Sequence, residues 1–169
     1  MRELTLAAPD PVWPQVFRET AARLSRLCAP VPAAIEHIGS TAVPGLVAKP
    51  IVDILVGVRP EDHDAVAQRL TDGGYLSFGT AGVEGRTFLR DGGRTVHIHL
   101  TEHGGEYWHK RLEFRDRLRR DPAVRAEYAA LKERLAAEHP HDTDRYTGAK
   151  APFILSILDG NRTTGGTHD

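Results

Sequence analysis

One cysteine, Cys28, in 169 residues excludes an internal disulfide framework and any zinc site built from several thiolates. Long apolar runs are missing too. The longest, Ile51 to Val58, is interrupted by Asp53 and Gly57 and falls far short of the about 20 apolar residues that a membrane span requires. The first ten residues lack the apolar stretch of a secretory signal, so the expected location is cytoplasmic. No excess of either charge exists. The formal net charge is −1, which leaves no global field to hold a nucleic-acid backbone or an anionic membrane. Lysine is scarce, with four residues against 18 arginines. What remains is ordinary globular composition, 40% hydrophobic and 27% charged, in a length that suits one domain.

The first half of the chain alternates between helical and extended patterns. Val12 to Leu27 has near-helical spacing of apolar residues, with Pro11 and Pro14 at the start, where proline is tolerated. Ala33 to Ile38 is a short β-prone run. Ile51 to Val58, rich in β-branched residues and bounded by Pro50 and by Arg59-Pro60, reads as a buried central strand. Glu61 to Thr71 predicts a helix ended by Gly73-Gly74. Tyr75 to Phe78, Arg86 to Arg90 and Arg94 to Leu100 are three further strands, the last two joined through Asp91-Gly92-Gly93, a hairpin turn.

The second half is helical. Glu106 to Arg120 turns Trp108, Leu112, Phe114 and Leu118 toward a core. Asp121 caps the next helix with Pro122 at its first position, and Val124, Tyr128, Leu131 and Leu135 form an amphipathic stripe. Asp142 or Thr143 caps a last helix that carries Tyr146, Phe153, Ile154, Ile157 and Leu158, kinked or broken by Pro152. The polar segment 161–169 has no apolar anchor and is expected to be a disordered tail. The sum over residues 1–160 is a single α+β domain, a small mixed β-sheet followed by a C-terminal helical pack.

The chemistry concentrates between His37 and Asp53. A strand ends at Ile38, and a Gly39-Ser40-Thr41 turn follows whose glycine, amides and hydroxyls suit the close approach of a phosphate. A single acid, Asp53, then sits inside an otherwise apolar strand. An unpartnered carboxylate there would cost several kcal/mol, so it demands a cation, either a basic side chain or a metal. A carboxylate beside a phosphate cradle is the simplest way to hold Mg²⁺ or Mn²⁺ against a nucleoside triphosphate. Each part alone is ordinary: Gly-Ser-Thr is a common turn, and a strand Asp is often held by a structural Arg.

The run from His37 to Leu46, with Lys49-Pro50-Ile51-Val52-Asp53, resembles the signature of the GrpB family. The resemblance continues through Arg86 to Arg90, His97 to Leu100, Phe114 to Leu118, Tyr128 to Lys132 and Tyr146 to Lys150, and so covers most of residues 10–158. The family is similar in turn to the polymerase-β-like nucleotidyltransferases, which implies their type of mixed sheet. It implies that Gly39 and Ser40 hold triphosphate oxygens and that Asp53 binds metal. Some members occur fused to dephospho-CoA kinase, which implies a link to coenzyme A metabolism. One departure stands out. A two-metal site needs at least two carboxylates, and the positions that share Asp53's strand face hold Ile51 and Leu55.

His97 and His99 alternate on a strand, so both face one side. They are candidate ligands, with Asp53, for a metal such as Zn²⁺, or they hydrogen-bond Asp53 in place of the missing acid. His37 either contacts substrate or packs. Lys49, Arg86 and Lys150, with Thr41 in the turn, are the candidate phosphate contacts; Arg94 is weaker. The basic run from Lys110 to Arg120 is interleaved with acids and apolar residues and reads as a solvated helix face rather than a nucleic-acid footprint.

Two functional expectations follow. The first is a metal-dependent nucleotidyltransferase that moves a nucleoside monophosphate from an NTP to a small acceptor, with Asp53 and Ser40 at the reacting centre. The second is a nucleotide- or CoA-type binding module without transfer. A metallohydrolase on Asp53, His97 and His99 is a third and weaker idea.

Overall fold

The computed structural model describes residues 3–163, with side chains through residue 160. Five strands form one mixed sheet: β1 (Ala34–Ile38), β2 (Val52–Val58), β3 (Leu76–Ser77), β4 (Thr87–Arg90) and β5 (Val96–Glu102), in the order β1-β2-β5-β4-β3. Only the central pair, β2 and β5, is parallel; the other neighbours are antiparallel. Helix α1 (Val12–Cys28) precedes the sheet and α2 (His63–Asp72) crosses between β2 and β3. Four helices follow it: α3 (Glu106–Arg120), α4 (Pro122–Glu138), α5 (Thr143–Ala149) and α6 (Ala151–Thr163).

β2 reads as a continuous hydrophobic run because both of its faces are covered. Val52, Ile54, Val56 and Val58 point with Val96, Ile98, Leu100 and Leu89 into the main core, where Leu24 and Cys28 of α1 and Val66 and Leu70 of α2 close the layer. Burying each such aliphatic side chain stabilises by about 1.5–3 kcal/mol. On the other face Leu55 and Ile38 meet Trp108 of α3. A Cβ at Gly57 would lie 2.6 Å from the Trp108 ring, so the glycine is what lets α3 settle there. That cover stops short of the entering end of β2. Asp53, the second residue of the strand, stands on this face with 28% of its side chain exposed.

A third cluster joins Val43 and Leu46, after the Gly-Ser turn, to Leu118, Val124 and Tyr128 of the helical pack. Asp121 caps α4 by accepting from the amides of Ala123 and Val124, and Asp142 caps α5 by accepting from that of Arg145.

Several local expectations are corrected. Pro60 starts a separate 3₁₀ turn, Pro60–Asp62, so the helix expected from Glu61 begins at His63. The strand expected over Tyr75–Phe78 shrinks to Leu76–Ser77, because β3 is an edge strand paired on one side only. The last helix is broken, with Pro152 in the first turn of α6, where its missing N–H costs nothing. α6 runs to Thr163, into the segment expected to be a disordered tail; residues 164–169 lie outside the described residues.

Candidate functional site

Register places the site residues in rows across the sheet. Asp53 pairs with Ile38 of β1 on one side and with His97 of β5 on the other, and His97 pairs with Arg90 of β4. The next row runs Leu55, His99, Phe88. Cross-strand neighbours point to the same face, so Asp53, His97, His99, Phe88 and Arg90 share one surface.

Gly39 closes β1 at φ +73°, a conformation that favours glycine, and the absent side chain matters as much as the torsion. A Cβ at this position would sit 2.7 Å from Oδ2 of Asp53. The expected juxtaposition of the bend and the carboxylate therefore exists, and it requires glycine.

The partner of Asp53 is an imidazole. His99 Nε2 lies 3.0 Å from Asp53 Oδ1, and His97 Nδ1 lies 3.8 Å from the same oxygen. The other nitrogen of His99 faces Arg86 Nη1 at 3.4 Å and the Tyr107 hydroxyl at 3.2 Å. A guanidinium only donates, so Nδ1 accepts and the His99 proton sits on Nε2, aimed at Asp53. Burial lowers the pKa of both histidines, which keeps them neutral near pH 7. Burial alone would raise the Asp53 carboxyl, but the hydrogen bond from His99, the charge that His99 and His97 take on in the acid range where a carboxyl titrates, and the field of Arg111 outweigh it and hold it below the usual range. His99 thus stands beside Asp53 as a hydrogen-bond donor to its carboxylate.

Arg86, expected among the phosphate contacts, serves a different purpose. It is 8% exposed, and its Nη2 donates to the carbonyls of Thr80 and Ala81 while Nη1 faces His99 and Tyr107. It fixes the His99 tautomer from behind. His37 and Thr41 are also turned away from Asp53. His37 is buried on the opposite face, stacked on Phe17 at 4.9 Å, and its Nε2 bonds the Thr41 hydroxyl at 2.9 Å. Thr41 in turn donates to the carbonyl of Ile51. Burial pushes His37 down to about 4, so it acts as a neutral brace of the turn. Arg94 is an exposed residue of the β4–β5 turn at φ +60°.

Ser40, Lys49 and Lys150 do converge, around a residue that sequence reasoning passed over. Lys132 of α4 is 2% exposed, and its ammonium donates to Ser40 Oγ at 2.7 Å and to the Val47 carbonyl at 2.5 Å. It stands 5.3 Å from the Tyr128 ring centre. Lys49 and Lys150 both face the ring of Tyr146, at 5.3 and 4.6 Å. Burial, then Lys150 and Lys49, push Lys132 down to about 7; burial and then Lys49 push Lys150 down to about 8; burial lowers Lys49. Asp53 opposes the shift at all three lysines. Three of the chain's four lysines are therefore gathered beside one carboxylate. Tyr146 is fully buried with its hydroxyl unpartnered among the described residues. The signal for Lys132 was its phase: it follows Tyr128 by four residues, on the face that α4 buries.

The donor set decides what metal chemistry suits this place. One carboxylate fits a single hard divalent ion shared with the phosphates of a ligand, since Mg²⁺ is usually held by one or two carboxylates plus substrate oxygens. It does not fit two ions, and both nitrogens of His99 are engaged elsewhere. Among the described residues, no group of three or more His, Cys, Asp and Glu is arranged to hold a metal. The cage expected from Asp53, His97 and His99, and the hydrolase built on it, are not what this geometry offers.

Fold and site together define an α+β domain in which the Asp53 carboxylate stands against a glycine bend with three lysines gathered beside it. The chain belongs to the GrpB family, whose model, described as GrpB protein, matches residues 3–160. It is 38% identical to the Bacillus subtilis protein YqkA over 158 residues, covering 90% of this chain but 46% of that protein. It is 33% identical to the glutamate-rich protein GrpB of Alkalihalophilus pseudofirmus, covering 93% and 95%. The crystal structure of GrpB from Enterococcus faecalis superposes with a TM-score of 0.83 at 36% identity, covering 92% of this chain and 96% of that one. Dephospho-CoA kinases of Mycobacterium bovis and Mycobacterium tuberculosis match at 29% identity, with 89% of this chain aligned to 44% of theirs. A fainter likeness, TM-score 0.49 at 12% identity, is to the polymerase core of the TRAMP RNA surveillance complex. Among the described residues, no helix is long and apolar enough to cross a membrane.

Proposed function

We propose that this protein binds the phosphate chain of a nucleoside triphosphate between Ser40, Lys49, Lys132 and Lys150, and transfers the nucleoside monophosphate to a small acceptor beside Asp53. The observation that carries it is the gathering of Lys49 and Lys150 at the Tyr146 ring and of Lys132 at Ser40, beside Asp53. Three ammoniums share one opposing carboxylate, and burial makes each of them costly without an anion. A triphosphate supplies that anion. A divalent ion at Asp53, when bound, would polarise the reacting phosphoryl group. In the transfer, an oxygen of the acceptor bonds to the α-phosphorus as the bond to the pyrophosphate oxygen breaks. The bond pair leaves with pyrophosphate, toward the lysines. The acceptor's proton passes to the imidazole of His97, which is neutral and stands 3.8 Å from a carboxylate able to steady the imidazolium.

A thermal-shift screen of ATP, GTP, CTP and UTP, each with Mg²⁺ or Mn²⁺, tests the binding. Ligand at 100 times its Kd adds about 2.7 kcal/mol of stability, which is several degrees for a chain of this size. No shift with any of the four overturns the proposal. Pyrophosphate release with a panel of acceptors then tests transfer.

A second reading, a nucleotide- or CoA-type binding module without transfer, draws on one specific observation: the side chain hydrogen-bonded to Asp53 is the imidazole of His99 rather than a second acid. The dephospho-CoA kinase relatives support a ligand of that kind. Binding without pyrophosphate release would favour it.

A further inference from the structure

On the face of Asp53, the sheet beyond His97 ends on partly exposed aromatic side chains. Phe88 packs edge-on against His97 at 5.0 Å and tilts over His99 at 5.5 Å. Beyond it Phe78, 44% exposed, meets Phe88 at 5.9 Å, and Leu76 beside it is 55% exposed. Arg90 lies in the same row as Asp53 and His97, with its guanidinium 4.0 Å from the centre of the Phe78 ring. Stacking uses the face of the guanidinium and leaves its edge donors available; among the described residues, no carboxylate or carbonyl accepts from them. Exposed Phe78 and half-buried Phe88 thus run as one strip to His97, beside an arginine without an acid, rather than as scattered exposure.

We infer that the strip formed by Phe78, Phe88 and Arg90 beside His97 binds the acceptor, and that the acceptor carries a flat aromatic ring with a negatively charged substituent. The inference rests on the nucleotide reading above. An in-line displacement needs the attacking atom opposite the leaving group, and pyrophosphate leaves toward Lys132 and Lys150. Sheet order puts Phe88 and Arg90 of β4 on the side of Asp53 away from β1, whose end leads to Ser40 and its partner Lys132. The ring packs against the tilted pair Phe78 and Phe88, whose planes stand 45° apart, while the negative group meets the free edge of Arg90.

The test is an NMR titration of the whole protein with indole-3-carboxylate, compared with indole-3-carboxamide and cyclohexanecarboxylate, in the absence and presence of ATP and Mg²⁺. Indole-3-carboxylate is expected to perturb Phe78, Phe88, Arg90 and His97. Both comparators are expected to bind about tenfold more weakly, as is the acid itself to Arg90→Met or Phe78→Ala, each removing one charged or stacking contact. Phe78 follows the edge strand β3 and Arg90 is the last residue of β4, and neither substitution is expected to alter the ATP-induced thermal shift. The acid perturbing Ser40 and Lys132 instead, or binding Arg90→Met unchanged, overturns the inference. Mutual exclusion of ATP and the acid makes the strip a site for the nucleotide's base and also overturns it. If the acid binds but ATP does not, the triphosphate reading fails and the acceptor role fails with it.

Discussion

The ammonium of Lys132 sits 2.7 Å from the hydroxyl of Ser40, although the two residues are 92 positions apart. One belongs to the bend after the first strand and the other to the middle of α4. Their contact fastens the helical pack to the Gly-Ser turn and sets a cation against that bend.

Replacing that cation separates ligand binding from folding. Lys132→Met keeps most of the side chain's length and removes the charge. The Val47 carbonyl and Ser40 lose a donor, a cost of about 1–3 kcal/mol. Relief of burying an ammonium offsets part of it. The variant is expected to fold with a modestly changed Tm and to lose the thermal shift with ATP. A shift of wild-type size would remove Lys132 from the site.

The lysines also set a pH dependence with two opposite signs. Lys132 is held near 7 and Lys150 near 8 in the folded chain, against about 10.5 when unfolded. From pH 7 to 10 the unfolded chain therefore binds more protons at these groups, and their contribution to stability rises with pH. Affinity for triphosphate is expected to fall over the same range as the ammoniums deprotonate. Chemical denaturation and ATP titration at pH 6.5, 7.5 and 8.5 check both, with Lys132→Met flattening each trend.

Asp53→Asn keeps an acceptor for His99 and removes the charge. The fold is expected to persist. Binding of ATP without metal should tighten, since one repulsive carboxylate is gone, while the extra stabilisation given by Mg²⁺ or Mn²⁺ should vanish. Isothermal titration with and without metal distinguishes this from an Asp53 with no part in binding, which would change neither.

Gly39→Ala strains both ends of the bend. The substitution forces a side chain into φ +73° and into the Asp53 carboxylate 2.7 Å away. A loss of about 1–3 kcal/mol is expected, which is a few degrees in Tm, together with weakened ATP binding. An alanine variant as stable as the parent would show that the bend is not clamped against Asp53.

Much of this was legible before the fold was known, and the rest failed for identifiable reasons. The run from Ile51 to Val58 declared a central strand through its β-branched residues, and Asp121-Pro122 declared the start of α4 through local capping chemistry. Both are short-range effects. Gly39, Ser40 and Asp53 were read correctly as neighbours because three costly features lay close in the chain. Lys132 was missed because a lysine on an apolar stripe counts as polar, whereas its burial depends on Ser40 and Val47 far away in sequence. Arg86 was misdirected for a similar reason: nothing local says that its donors meet loop carbonyls and His99. For His37 the sequence leaves contact and packing both open; register with Ile54 sets only the face, the one opposite Asp53.

Tyr146 carries a broader implication. Its ring is touched by Lys49, which leads into the sheet, and by Lys150, which lies between α5 and α6. Any anion neutralising both would staple the carboxy-terminal helices onto the strands, so occupancy and the tightness of that seam are one variable. Amide hydrogens of α5 and α6 should then exchange more slowly when ATP is present, a mechanical fingerprint of ligand capture in helices that carry neither the aspartate nor the glycine bend.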